Sequence, residues 1–304
     1  MAVTDLHSLD VSEAINKIFS TGTEIPGAVL SLVTETPYIN VGDNAPLVME
    51  GRAKGALVHE GGAKPDNGRK VVAKPFTTVK LVYSQRVTDE FMMWDRARQG
   101  DFVSQLVSDW TRKSLPRDMD TVIFHGYDPN SNTLDTNLSD YITKSGSHIT
   151  VPSTGTTAAA IDTDFGTAVA ALANKGYRVN GVAISDAAAQ KLATITEGNE
   201  KKYPGLGVFG LTGNTIAGRR AASTPEVGAI NGTELVLGDW DQLFLGFAGN
   251  ADWKVIEYGN PDGGTYDLQQ ANQVLVRLEL KFGFRILDPN AFAVVATGGD
   301  ESES

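Results

Sequence analysis

Histidine, cysteine and glycine-rich turns are where these 304 residues would most readily carry chemistry, and they offer little. The four histidines, His7, His59, His125 and His148, lie far apart and lack the close spacings that bring two imidazoles to one metal. Each reads as a surface or core residue. Cysteine is absent, which removes disulfides, thiolate metal sites and thiolate nucleophiles together, and fits a chain made in a reducing cytosol. Neither a Walker A sequence nor a GxSxG elbow is present. Gly205, Gly207 and Gly210 do spell GxGxxG. That pattern holds a pyrophosphate only between a strand and a helix whose N-terminus faces the anion. Tyr203-Pro204 before it and Leu211-Thr212-Gly213 after it carry no helical stripe, so a loop tip is the better reading. No catalytic residue, metal or cofactor is expected from these patterns.

Bulk properties narrow the classes further. A net charge of −11 argues against broad sequence-independent binding of nucleic acid, which needs many Lys and Arg on phosphates. No apolar run approaches the ~18–20 residues that span a bilayer. The opening MAVTDLHSLD has neither the basic region nor the apolar stretch of a secretion signal.

The elements that would have to position any site are clearer than the site. Val274, Val276, Leu278, Leu280, Phe282, Phe284 and Ile286 fall on one face of an extended chain, with Arg277, Glu279, Lys281 and Arg285 on the other. This period-2 pattern predicts a long strand with one buried face. Gly283 offers a place for a bulge, Asp288-Pro289 ends the ladder, and Ala291–Ala296 forms a second, short strand. Residues 10–20 place Val11, Ala14, Ile15, Ile18 and Phe19 on one helical stripe. An irregular arm follows to Pro46, with a strand expected at Ala28–Thr34. Leu47–Glu60 and Val71–Ser84 read as two strands joined by the polar turn GGAKPDNGRK. A ribbon of that length is marginal alone, so it lies either on its own domain or on a neighbour.

Thr88 opens a short helix through Trp94, and Asp101 caps a long one that Pro116 should kink or divide and Gly126 should stop. Tyr127–Thr157 reads as loop. A second block holds a helix at Asp162–Lys175 with Phe165, Val169 and Leu172 inward, a buried strand Val179–Ile184, and a helix capped by Ser185. A glycine-rich loop spans Thr196–Gly213. Strands follow at Thr215–Ala222, Glu234–Leu237, Gln242–Phe247 and Asp252–Tyr258. The fold class is α+β, with one domain inserted into another. The acidic end GGDESES reads as a solvated tail.

The order of arm, hairpin, capped helix ending near HGYDP, inserted block, LVLGDWDQLFLGF and NQVLVRLELKFGFRILDPNAF resembles the major capsid proteins of tailed bacteriophages, which share the Hong Kong ninety-seven or Johnson fold. The resemblance spans nearly the whole chain. It implies an N-terminal arm at 1–46, an extended E-loop at 47–86, a P-domain in two parts at 87–157 and 259–304 with spine helix Arg98–Phe124, and an inserted A-domain at 158–258. It implies self-assembly through pentamers and hexamers into an icosahedral shell around double-stranded DNA, with no sequence-specific DNA binding and no membrane. Virion localisation after assembly in the host cytoplasm follows, as do a portal, decoration proteins and, because the arm follows Met1 almost directly, a separate scaffolding protein or none.

Some members of that family join subunits by an isopeptide bond between an E-loop lysine and a P-domain asparagine, assisted by a glutamate. Lys74, Asn272 and Glu279 match those positions, and a desolvated carboxylate could take the proton that a lysine must lose to attack a carboxamide. The plainer reading has Asn272 and Glu279 serving the strand, with Glu279 paired to a neighbouring cation. Pro75, directly after the lysine, departs from the crosslinking pattern. An encapsulin-like nanocompartment shell is the alternative within the fold. A soluble enzyme or a carbohydrate-binding module lies outside it, and particle mass separates these from a shell.

Overall fold

The long alternating run organises everything around it. The computed structural model describes residues 27–50, 55–60, 62–64, 70–97, 102–207, 210–211, 214–230 and 232–297. The amphipathic stretch at 10–20 and the acidic tail lie outside them. The labelled helices are α1 (Ala28–Leu32), α2 (Asp89–Ala97), α3 (Phe102–Asp109), α4 (Leu115–His125), α5 (Ala158–Asn174) and α6 (Asp186–Leu192). The labelled strands are β1 (Leu47–Glu50), β2 (Lys70–Ala73), β3 (Val79–Thr88), β4 (Ile149–Pro152), β5 (Gly181–Ile184) and β6 (Arg219–Ser223), then β7 (Thr233–Gly238), β8 (Leu243–Phe247), β9 (Asp252–Ile256), β10 (Gln273–Ile286) and β11 (Phe292–Ala296). No described helix is long and apolar enough to cross a membrane.

β10 is the centre of one sheet. β3 runs antiparallel along one side, from Gln273↔Thr88 to Phe282↔Val79, while β8 and β9 share the other side end to end. The predicted inward residues of β10 are buried, and Arg277, Glu279, Lys281 and Arg285 are half-buried. The second sheet has six strands in the order Thr215–Ile216, β6, β5, β7, β11, β4. α4 lies in the core shared by both sheets, through Met119, Ile123 and Phe124, and α5 and α6 contribute Ile161, Leu172 and Leu192 to a second core on the six-stranded sheet. Sheet membership does not follow the 158–258 block: β4 and β11 lie outside it yet complete the six-stranded sheet, and β8 and β9 lie inside it yet pair with β10. The Asp288-Pro289 corner makes this possible. Asp288 accepts from the Asn290 N–H at 2.9 Å, the ladder stops, and β11 passes to the other sheet.

Several local signals act as expected. Thr88 Oγ1 accepts from the Phe91 N–H, Ser185 Oγ from the Ala188 N–H, and Gly126 ends α4 with φ +73°. Four expectations are corrected. Ala28–Leu32 is a helix rather than a strand, because Asp120 supplies acceptors to its first amides. Pro116 does not divide the long helix: a π-helical turn, Trp110–Ser114, absorbs the missing bond, and α3 continues into α4. The inward stripe of α5 is Ile161, Ala168 and Leu172, and Val169 faces out.

Gly283 makes no bulge, the fourth correction. It stands in unbroken register opposite Gly246, and the pair lets other chain lie flat on the sheet. A Cβ on Gly283 would meet the Phe76 ring at 2.5 Å, and one on Gly246 would meet Ile39 Cγ2 at 2.4 Å. We expect Gly283→Ala to cost about 1–3 kcal/mol, because Phe76 is buried and cannot yield freely. Thermal unfolding of this variant beside wild type checks it. An unchanged midpoint would mean that the ring moves at no cost.

Candidate functional site

Among the described surfaces, the hairpin is the one least supported by its own chain. β1 and β2 pair over only four positions, from Leu47↔Ala73 to Glu50↔Lys70. Its root is fixed firmly. The Lys74 N–H donates to the Pro46 carbonyl at 3.0 Å, Asp43–Asn44 pairs with Phe76–Thr77, and Phe76 packs at 5.4 Å on Phe244 beside Ile39. Above the root, Leu47 is 73% exposed, Met49 58% and Val71 53%, and Leu57 is 99% exposed. Two four-residue strands with bare apolar side chains are not stable in water by themselves.

The second leg was expected to stay in the ribbon to Ser84. It leaves at Val79, because Val79, Leu81 and Tyr83 find cover under the long helix. Tyr83 stacks on Trp110 at 5.9 Å and donates its hydroxyl to Asp118. Burial and that carboxylate push the Tyr83 hydroxyl far above its ordinary range.

Lys74, Asn272 and Glu279 are not brought together within one chain. The Lys74 backbone is held in the hairpin root. Against the opposing effect of burial, hydrogen bonds from Tyr177 and Asn290, with a smaller contribution from the Lys74 charge, keep Asp288, past the C-terminal end of β10, below the usual carboxylate range. Asn272 precedes the other end of β10, exposed, at φ +49°, a left-handed conformation that asparagine tolerates better than most residues. Glu279 lies seven residues on, about 23 Å at ~3.3 Å per strand residue. Its carboxylate is 3.3 Å from Lys80 Nζ on β3, a pairing across strands. Among the described residues, Lys64 and Lys70 are exposed lysines nearer the hairpin tip.

The other candidates take structural places. His125 is buried, its Nε2 lying 3.0 Å from the Glu226 carbonyl and Nδ1 3.3 Å from Thr143 Oγ1, and burial lowers its pKa. His59 is exposed on the hairpin and His148 is half-buried near β4, while His7 lies outside the described residues. No three His, Cys, Asp or Glu among the described residues could hold a metal ion. Gly207 and Gly210 pair across a two-residue ladder with no helix after it, and a Cβ on Gly205 would meet the Thr215 carbonyl at 2.3 Å. Close backbone approach accounts for that glycine.

Sequence reasoning missed two features. Asp120 is fully buried and accepts from the Ala28 and Val29 amides at 2.7 and 3.0 Å, tying α1 to α4. An aspartate inside the apolar stripe MDTVIF was the available signal. Arg86 donates to Asp262, Asn260, the Tyr266 carbonyl and Gln273, and so gathers the loop between β9 and β10 around one guanidinium. Asp262 is held well below the usual range by that contact.

A model of the Phage capsid family matches residues 13–297. A solved chain from Mycobacterium phage Ogopogo is 24% identical, with 91% of this chain and 94% of that one covered at a TM-score of 0.72. A chain from Gordonia phage Cozz is also 24% identical, covering 91% and 88% at 0.73. The capsid of an empty GTA particle computed with C5 symmetry is 11% identical, covering 92% of each chain at 0.66. No curated protein matches the chain.

Proposed function

Because the chain belongs to the Phage capsid family and is a major capsid protein of the Johnson fold, we propose that its copies join as pentamers and hexamers into a closed icosahedral shell. It is a structural protein of the virion. The single observation that carries the mode of joining is the hairpin. Its root is locked and its apolar residues are bare, so the missing cover is another copy, and assembly is coupled to completing the fold. In this reading 1–46 is the arm, 47–86 the E-loop, 87–157 and 259–304 the P-domain, and 158–258 the A-domain. The shell encloses double-stranded DNA without reading its sequence. Portal, scaffolding and decoration proteins are its partners, and assembly takes place in the host cytoplasm.

Negative-stain electron microscopy of the purified chain after size exclusion tests this. Uniform shells, or rings of five or six, are expected, and a compact monomer at all concentrations would count against assembly by this chain alone.

The same particles decide the covalent question. Glu279 is engaged by Lys80, and Lys74, Asn272 and Glu279 could meet only between copies. We therefore expect shells boiled in denaturant to run as one band at 32.4 kDa. Covalent multimers lost in Lys74→Arg would instead assign the trio its bond-forming role.

A further inference from the structure

The sheet centred on β10 shows aromatic residues to solvent at one end. β3 ends there and β10 begins, at Thr88↔Gln273, and the Asp89 N–H donates to the Asn272 carbonyl at 2.9 Å. α2 and the loop between β9 and β10 therefore leave the sheet side by side. Among the described residues five large aromatic side chains are exposed, and four of them, Phe91, Trp94, Tyr258 and Tyr266, belong to these two elements. Met93 joins them at 71% exposure, beside 69% for Tyr258 and 62% for Tyr266. Single apolar residues at a surface need no cause, whereas a group on adjoining elements marks a place where something binds. These rings are held in place while open. Phe91 packs edge-on against Phe102 at 4.9 Å and tilts against Trp94 at 5.8 Å. In the loop, Arg86 gathers Asn260, Asp262 and the Tyr266 carbonyl, Arg277 donates to the Pro261 carbonyl at 2.8 Å, and Leu268 is fully buried. A surface fixed in advance loses less entropy on binding.

Charge selects the occupant. Residues 88–95 hold Asp89, Glu90 and Asp95, residues 257–273 hold Glu257, Asp262 and Asp267, and neither stretch has a Lys, Arg or His. Arg86 answers Asp262, and Asp95 accepts from the Phe102 N–H, while Asp89, Glu90 and Glu257 are exposed. Nucleic acid is repelled by such a surface, and so is the same end of a second copy, which would set acid against acid. Guanidinium and ammonium groups are attracted twice over, by the faces of Trp and Tyr rings and by the carboxylates beside them. We propose that this end of the sheet is a docking surface for a different protein that presents arginine and lysine side chains. Trp94, Tyr258 and Tyr266 take the cationic heads, and Asp89, Glu90 and Glu257 supply the surrounding charge. The surface lies within one chain, so the proposal goes beyond the shell reading and does not depend on it.

Two measurements on the full chain test it. Hydroxyl-radical footprinting compares Met93, Trp94, Tyr258 and Tyr266 in unassembled chain and in closed shells. Equal reactivity is expected, because the occupant is not a copy. Protection in the shells would assign the surface to contacts between copies and overturn the proposal. Fluorescence anisotropy then titrates the chain with a labelled arginine–serine peptide, beside a glutamate–serine peptide of equal length. Only the first should bind, and no binding of it to wild type would overturn the docking surface. Asp89→Asn with Glu90→Gln and Glu257→Gln should weaken it about tenfold. Removing three exposed acids elsewhere, by Glu35→Gln, Glu197→Gln and Glu200→Gln, should change it less than about twofold. Equal losses in the two triple variants would mean attraction to an acidic chain at large and would also overturn it. Trp94→Ala with Tyr258→Ala should weaken binding about tenfold, and Trp94→Phe with Tyr258→Phe, which keeps the rings, should recover most of the loss. A loss that the phenylalanine pair fails to recover would refute the part given to the ring faces.

Discussion

A chain whose hairpin is cut back to a short Gly-Ser turn between Leu47 and Ala73 should fold and should form no shells. The cut is mild for the subunit. Leu47 and Ala73 are cross-strand partners, so a turn of a few residues can join them, and the Pro46–Lys74 backbone bond below them is retained. Phe76, Ile39 and Phe244 still close the root, and no described residue of the removed segment belongs to a core cluster. The melting midpoint should therefore shift by no more than ~2 °C. Assembly is another matter, because the exposed Leu57, Met49 and Val71 go with the hairpin. Size exclusion and negative stain separate the outcomes. Soluble subunits without particles are expected, while shells of normal size would show that the hairpin does not hold the copies together.

The contrast between root and shaft also marks how far the sequence could be read. The alternation of β10 was plain because one face is buried along its whole length, and caps such as Ser185 and Gly126 act within a few residues of themselves. What stayed hidden depends on distant partners. β3 continues the pattern of the hairpin leg, yet it changes partner at Val79 because Trp110 and Asp118 wait under the long helix, which no local window contains. Gly283 looks like a bulge until Phe76 and Ile39 are placed above it.

α1 shows the same dependence most sharply, and it supports the second large prediction. Five residues make too short a helix to stand alone. It exists because Asp120, ninety-two positions from Ala28, accepts from two of its amides inside the core. Asp120→Ala leaves both buried donors without a partner, so we expect a loss of about 2–4 kcal/mol, measured by denaturant unfolding in the hairpin-less background where assembly does not interfere. The pH dependence is a sharper test. Burial pushes the Asp120 carboxyl up to about 7 against the pull of the two amides, while in the unfolded chain it titrates near 3.8. Between those values the folded state holds a proton that the unfolded state has released, so this group's contribution to stability is full below about 4 and is lost as pH rises through 7. His125, lowered by burial, works in the opposite sense, but it is unchanged in an Asp120→Asn variant and cancels in the comparison. Wild type should therefore hold its greatest advantage over Asp120→Asn near pH 4, and the advantage should shrink towards pH 7 and then level off. An advantage that grows with pH would mean that the two amides outweigh burial and keep Asp120 ionised. Since α1 is also the point from which residues 1–26 depart, Asp120→Ala should weaken assembly beyond its effect on folding if the arm ties subunits together.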